Sequence, residues 1–215
     1  MKPFNACFAA CMLLVMALVS ACGRDTDPPV IRLNALDTML VPLHSVITLP
    51  EAIAFDNEDL DVSESIVVTG SYEKDSIGYY PIQYEVTDAA GNVGRATCTL
   101  RVMVTPTQMN ANFDRTTDCP NSGDDMVYIR SGSLDTNELV VAVFDAQGFS
   151  TGRMSFELLP NGEYEPMNMP FTFYNSPRII TGVEITFSAD GNTFRLDLVG
   201  EDVTPFQCSA TFTRR

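Results

Sequence analysis

The sequence predicts an all-β protein, a two-sheet β-sandwich followed by a second antiparallel β-domain that meanders and curls into a small barrel. Three observations carry that reading. Tyr80, Ile82, Tyr84 and Val86 alternate with the polar Gln83, Glu85 and Thr87, and a period of two over that length makes a strand with one buried face. Turn residues recur between short apolar runs at the spacing of a sandwich. Finally, Ala189-Asp190-Gly191-Asn192 joins Val183, Ile185 and Phe187 to Phe194, Leu196 and Leu198, so two inward faces match across a hairpin turn.

At the N-terminus, Lys2 is the only charge in the first 21 residues, and every residue from Ala6 to Val19 is apolar. A run of 14 is short for a membrane span, which needs about 20 residues. It has the pattern of a secretory signal peptide, with small residues before the cut. Val19-Ser20-Ala21-Cys22 resembles the lipobox of bacterial lipoproteins, in which an apolar residue and two small ones precede a lipidated cysteine. The resemblance implies that residues 1–21 are removed and that Cys22 becomes the acylated N-terminus. Ordinary cleavage near Ala21, leaving Cys22 as a thiol, is the alternative. A diacylglycerol with an amide-linked acyl chain exceeds the two hydrophobic signals that stable anchoring needs, so the chain is expected to be membrane-anchored without spanning. Gly23 rather than Asp follows the cysteine, which in such proteins favours the outer membrane, with the domains on its periplasmic face or at the cell surface. Residues 22–27 read as a lipidated tether.

Residues 28–105 form the first domain. Its expected strands are Val30 to Leu33, Ser45 to Leu49, Ser65 to Thr69, Tyr79 to Thr87 and Gly94 to Val104. Asp88 to Asn92 turns the chain between the last two, Asp capping the turn and Gly91 supplying a positive φ. Ala96, Cys98, Leu100, Val102 and Val104 then repeat the inward face, which makes Cys98 a buried thiol. Asp27-Pro28-Pro29-Val30-Ile31, the acidic loop Ala54 to Asp61, Ile66 to Gly70 and Ile77 to Asn92 together resemble the bacterial immunoglobulin-like domain of pesticidal crystal proteins and many surface proteins, akin to hyalin repeats. The resemblance implies a seven-strand immunoglobulin-like sandwich serving as a spacer or adhesion module, with no catalytic residues. Leu60 stands where that family commonly has Gly, so the acidic loop is expected to turn less sharply.

The break at Thr105-Pro106-Thr107-Gln108 opens the second domain, residues 106–215. Strands are expected at Met126 to Ser131, Glu138 to Asp145, Arg153 to Leu159, Phe171 to Tyr174, Val183 to Ser188, Thr193 to Val199 and Gln207 to Thr213. With Cys7 and Cys11 lost and Cys22 acylated, Cys98, Cys119 and Cys208 remain in an oxidising compartment. Cys98 faces the first core, so Cys119 and Cys208 are expected to pair, tying the first segment of the domain to its last strand. Cys208-Ser209-Ala210-Thr211 faintly resembles the closing strand of small β-barrel domains in secreted lipoproteins, which implies a closed or nearly closed barrel.

The composition restricts function. The mature chain carries 12 basic and 28 acidic side chains, a net charge of −16, which argues against nucleic acid. One histidine, His44, and no tryptophan leave little for imidazole catalysis or for stacking on sugars. Glu157 with Glu163 or Glu165 could form a carboxylate pair, but without a long-loop cleft it is not read as a glycosidase site. Asp56, Asp59, Asp61 and Asp88 are the expected ligands of a calcium ion, if the two loops that carry them meet at one end of the sandwich; solvated acidic loops are the alternative. Tyr164, Phe171, Phe173 and Tyr174, set among Pro166, Met167, Met169 and Pro170, form either the rim of the barrel or a contact surface. The expectation is a non-enzymatic lipoprotein serving as spacer, adhesion or binding module for a protein or glycan partner. A small apolar ligand inside the C-terminal barrel is the rival reading.

Overall fold

A computed structural model describes residues 25–119, 126–131, 138–144, 150–167, 169–172, 179–201 and 205–215. Sixteen strands and one short 3-10 turn, Ser63–Ser65, make up the regular structure of these residues. The first seven are β1 (Val30–Leu33), β2 (Thr38–Pro42), β3 (Ala52–Asp56), β4 (Leu60–Asp61), β5 (Val67–Thr69), β6 (Gly78–Thr87) and β7 (Val93–Met103). They form a three-stranded sheet, β1-β3-β4, and a four-stranded one, β2-β7-β6-β5, in which β2 runs parallel to β7. Seven strands in two sheets are the immunoglobulin-like arrangement.

The nine later strands are β8 (Ala111–Thr117), β9 (Met126–Ser131), β10 (Glu138–Phe144), β11 (Ser150–Leu158), β12 (Tyr164–Met167), β13 (Phe171–Thr172), β14 (Ile179–Phe187), β15 (Thr193–Glu201) and β16 (Pro205–Arg214). They build one antiparallel sheet in the order β12-β11-β10-β9-β8-β16-β15-β14-β13. Apart from β12 and β13, each strand pairs with its neighbours in sequence, and the first, β8, also pairs with the last, β16. The meander therefore joins its own ends, and its free edges are the consecutive strands β12 and β13.

Among the described residues the barrel does not close, so of the expected closed or nearly closed barrel the fully closed form is not seen. Pro166 within β12 has no N–H to donate, Pro170 directly precedes β13, and β13 is two residues long. Such edges cannot carry a ladder across the gap. Proline and short length at an edge also discourage pairing with other chains.

By its internal contacts the chain divides into two compact units, and the division cuts the long strands β6 and β7. The first unit holds the described residues up to Asn34, Glu51–Thr69 and Gln83–Ala96. Ala54, Tyr84 and Val86 are its buried apolar centre. The second holds Ala35–Pro50, Gly70–Ile82 and Thr97–Arg215. Its core contains Val41, Leu100 and Val102 from the sandwich strands, and Phe113, Phe156, Phe194 and Phe212 from the meander. Phe194 stacks on Phe212 with ring centres 4.4 Å apart and meets Phe113 edge-on at 5.3 Å, so aromatic rings fill the meander where they cluster.

Two hairpin tips of the meander lock against sandwich strands inside the second unit. At Gly191 (φ 67°), a Cβ would come within 2.5 Å of Leu43 Cδ2; at Gly162 (φ 82°), within 2.6 Å of Arg101 Cγ. Both positions need glycine for the turn and for the close approach. Ile77 N–H donates to Ala189 O at 2.7 Å, Gln108 Nε2 to Leu43 O at 2.6 Å and the Tyr164 hydroxyl to Val104 O at 2.9 Å, fixing the same junction.

The expected strand Ser45 to Leu49 is not one. The segment alternates half-buried and exposed residues, with Val46 93% exposed, but among the described residues it joins no strand ladder. Phe171 to Tyr174 is a strand only at Phe171–Thr172, and Phe173 and Tyr174 lie outside the described residues.

Candidate functional site

Two places gather polar chemistry. The first is the acidic end of the first unit. After β3, Asp56 folds back over its own loop, and its Oδ2 accepts the N–H groups of Glu58 (2.8 Å) and Asp59 (3.0 Å). In the turn after β6, Asp88 Oδ1 accepts the N–H of Asn92 at 2.7 Å, and its Oδ2 accepts Asn92 Nδ2 at 2.8 Å. These local bonds are the Asx-turn chemistry for which aspartate is favoured. They also tuck both carboxylates in, leaving Asp56 8% and Asp88 7% exposed. Burial raises the Asp88 pKa, but the hydrogen bonds from Asn92, Gly91 and Ala90 outweigh it, and the carboxyl is held below its ordinary value.

Asp25 comes from the segment before β1. One carboxylate oxygen from each of Asp25, Asp56 and Asp88 lies within 4.8 Å of the others. The main-chain oxygens of Asp25 and Asp27 converge on Asn92 Nδ2 at 3.3 and 3.4 Å, so carbonyl as well as carboxylate oxygens gather there. Of the four residues expected from sequence, Asp56 and Asp88 belong to this cluster. Asp59 instead bridges the two loops, its Oδ2 accepting the Ala89 N–H at 2.7 Å. Asp61 turns to Ser63, whose hydroxyl and N–H hold its carboxyl below the usual range. Sequence reading placed Asp25 in the tether and missed it; the signal was an aspartate two residues before Asp27-Pro28-Pro29.

The second place is a cleft of about 670 Å³ in the second unit, at the seam where the meander stays open. Tyr164 and Phe187, with ring centres 5.7 Å apart, lie on its wall beside Val104 and Ile185. Glu163, Glu165 and Glu184 bring carboxylates, and Arg101 is the one cation among the described lining residues. Arg101 is already engaged: its guanidinium lies 4.3 Å from the centre of the Tyr79 ring, and the Tyr79 hydroxyl donates to Glu163 Oε1 at 3.2 Å. Among the described residues the buried Arg101 Nε has no acceptor. Burial pushes the Tyr164 phenol well above its ordinary pKa, so it stays neutral and donates to Val104 O. Sequence reading named Tyr164 in the aromatic segment but missed Arg101 and Glu184, which converge on it from distant strands.

Cys119, just past β8, and Cys208 on β16 are joined by a disulfide with Cα atoms 4.9 Å apart, at the β8–β16 pairing. Cys98 is a free, fully buried thiol whose pKa is raised by burial and by Asp37. His44, at φ 65°, is exposed, and its Nδ1 lies 2.8 Å from Asp75. Glu157 stands directly opposite Glu165 in the β11–β12 register, while Glu163 lies in the hairpin turn before β12. Cys22 lies outside the described residues.

Residues 31–104 match the family model described as "Bacterial surface protein, Ig-like domain". No curated protein matches the chain. Among solved structures, a lipoprotein from Bacteroides thetaiotaomicron is similar at 14% identity and a TM-score of 0.34, over 86% of this chain and 100% of the other. The CBM51-2 and INT domains of ZmpB from Clostridium perfringens, in complex with GlcNAc, are similar at 11% identity and a TM-score of 0.31, over 86% of this chain and 43% of the other.

Proposed function

We propose that this chain is a non-catalytic bacterial lipoprotein, held outside the cytoplasm by a lipid on Cys22. In this reading the immunoglobulin-like sandwich is a spacer or adhesion module and the meander carries the binding face. The observation that supports it most is the surface-protein immunoglobulin-like match over residues 31–104, which follows a lipobox-like sequence. Among the described residues no helix is long and apolar enough to cross a membrane. The aromatic packing of the meander interior favours presentation of a surface over storage of an apolar ligand inside it. The outer membrane is the proposed location, and a protein or a glycan the proposed partner. Metabolic labelling with an acyl probe tests the anchor. The wild-type chain should take up label and Cys22→Ala should not; equal labelling of both would refute it.

The acidic end of the first unit is proposed to hold calcium, with Asp25 joining Asp56 and Asp88, and Asp59 and Asp61 shaping the loop. Hard oxygen donors, carboxylate and carbonyl, are what that ion takes. A ligand that binds only the folded state at 100 times its dissociation constant adds about 2.7 kcal/mol. The melting temperature of the whole mature chain should therefore rise in millimolar calcium relative to chelator, and Asp88→Asn should abolish the difference. Coincident wild-type curves would leave Asp56 and Asp88 as turn-capping carboxylates that hold no ion.

A further inference from the structure

The outer face of the three-stranded sheet in the first unit holds neighbouring apolar side chains in the open. Val30 stands directly opposite Phe55 in the β1–β3 register, and Arg32 stands opposite Ile53 two residues along the same face. Ile31 and Ala54 point the other way, so strand alternation sends Val30, Ile53 and Phe55 outward together. These three are 60%, 49% and 48% exposed, and Arg32 is exposed beside them.

This patch lies where the chain leads back to Cys22. Phe55 precedes Asp56, whose carboxylate is within 4.8 Å of that of Asp25, and Asn92 Nδ2 donates to the main-chain oxygens of Asp25 and Asp27. Asp25 is therefore fixed on the body of the unit, next to the patch. Three residue steps separate it from Cys22, and they span at most about 11 Å when fully extended. The headgroup layer of a bilayer is about 5–8 Å deep on each side. With an acylated Cys22, so short a link keeps the unit against the bilayer, and one of its faces meets the headgroups.

We propose that the face formed by Val30, Ile53 and Phe55 rests on the lipid surface, with Arg32 reaching the lipid phosphates. Apolar side chains enter the interfacial region by about 5–10 Å, while long basic side chains keep their charge at its polar edge. Three side chains are too few for a stable contact between copies, which takes roughly 800 Å² on each partner. The acyl tether makes docking on lipid intramolecular and holds the patch at high local concentration beside the bilayer, so a small patch suffices. Asp61 stands opposite Phe55 on β4 and is exposed on the same face, so a zwitterionic surface suits the patch and an anionic one repels it. The inference rests on the lipid anchor and adds an orientation to it: the first unit lies on one sheet face instead of standing clear of the membrane.

The chain contains no tryptophan, so one introduced indole reports its own surroundings. Phe55→Trp is made in the acylated protein and reconstituted into phosphatidylcholine vesicles with and without brominated acyl chains, which quench an indole only at close range. Val67→Trp is the control, since Val67 pairs with Glu85 on the outer face of the other sheet and is 59% exposed. The Phe55→Trp indole should lose emission in brominated lipid, and the Val67→Trp indole should keep it. Adding Ile53→Glu to Phe55→Trp should abolish the loss, with melting curves confirming that the variants fold; a loss that persists would overturn the proposal. The mass of the N-terminal peptide is read on the same sample. An unacylated Cys22 refutes the anchor and this inference with it. An acylated chain whose Phe55→Trp indole is quenched no more than the control overturns the inference alone. A blue shift that grows with protein density and is insensitive to bromine assigns the face to a second copy and overturns it too.

Discussion

Leu60 is the residue where backbone strain and sequence meet. It has φ 64°, a left-handed conformation that costs a side-chain-bearing residue about 1–2 kcal/mol. It is also 69% exposed, so little packing repays that cost. The sequence showed a leucine where glycine is common and suggested a blunter turn; the structure keeps the sharp turn and places the strain on the leucine. Leu60→Gly should therefore stabilise the protein by about 1 kcal/mol, a net of relieved strain against glycine's greater freedom when unfolded. That raises the melting temperature by about 2–4 °C in a chain of this size. An unchanged or lower melting temperature would show that the leucine side chain contributes packing at the loop.

At the scale of elements, strands were legible where burial alternated. Ile82, Tyr84 and Val86 are each 1% exposed between exposed neighbours, and the expected pairs of the last hairpin appear as Phe187 with Phe194, Ile185 with Leu196 and Val183 with Leu198. Other strands reverse or lack that code. In β3 the buried residues are the small Ala54 and the charged Asp56, while Ile53 and Phe55 are 49% and 48% exposed, so hydrophobicity points the wrong way. In β8 only Phe113 is buried, and the polar strand exists because β9 and β16 flank it. Pro166 hid β12. The acidic site was half legible: the two turns announced Asp56 and Asp88, but only the fold brings Asp25 to them. The cleft was illegible because Arg101 and Glu184 come to the Glu163–Glu165 hairpin from strands far apart in sequence.

The disulfide acts at this scale too, since it pins the pairing of the first and last meander strands. Cys119 and Cys208 are 89 residues apart, and the chain-entropy model gives such a loop at most about 4–5 kcal/mol. Changing both to Ala, which leaves no unpaired thiol behind, should lower the denaturant midpoint by an amount within that limit, with the slope showing whether the unfolded chain has expanded. A midpoint that does not move would mean the β8–β16 ladder holds without the bond.

For the whole molecule, charge decides how stability follows pH. Asp61, Asp75, Asp88, Asp118 and Asp190 all have pKa values below the ordinary 3.8, through hydrogen bonds from backbone or side-chain donors. For Asp190 the Ser188 hydroxyl and the Asn192 amides bring it to about 2. A folded-state pKa below the unfolded one means that the folded chain holds on to charge and the unfolded chain takes up protons first. The resulting stability is complete above about pH 4 and is lost as pH falls toward 2. Thermal melts across that range should be flat down to about pH 4 and then drop, and Asp190→Asn should make the drop shallower. A loss of stability already complete between pH 6 and 5 would point to other groups.

The account turns on a chain attached to a membrane through its first mature residue, with two β-units beyond it. Mass spectrometry of the N-terminal tryptic peptide from the membrane fraction tests this most directly. The account predicts that the peptide begins at Cys22, ends at Arg24 and carries a diacylglyceryl thioether and an amide-linked acyl chain. An unmodified Cys22, or a peptide beginning upstream of it, would contradict the account.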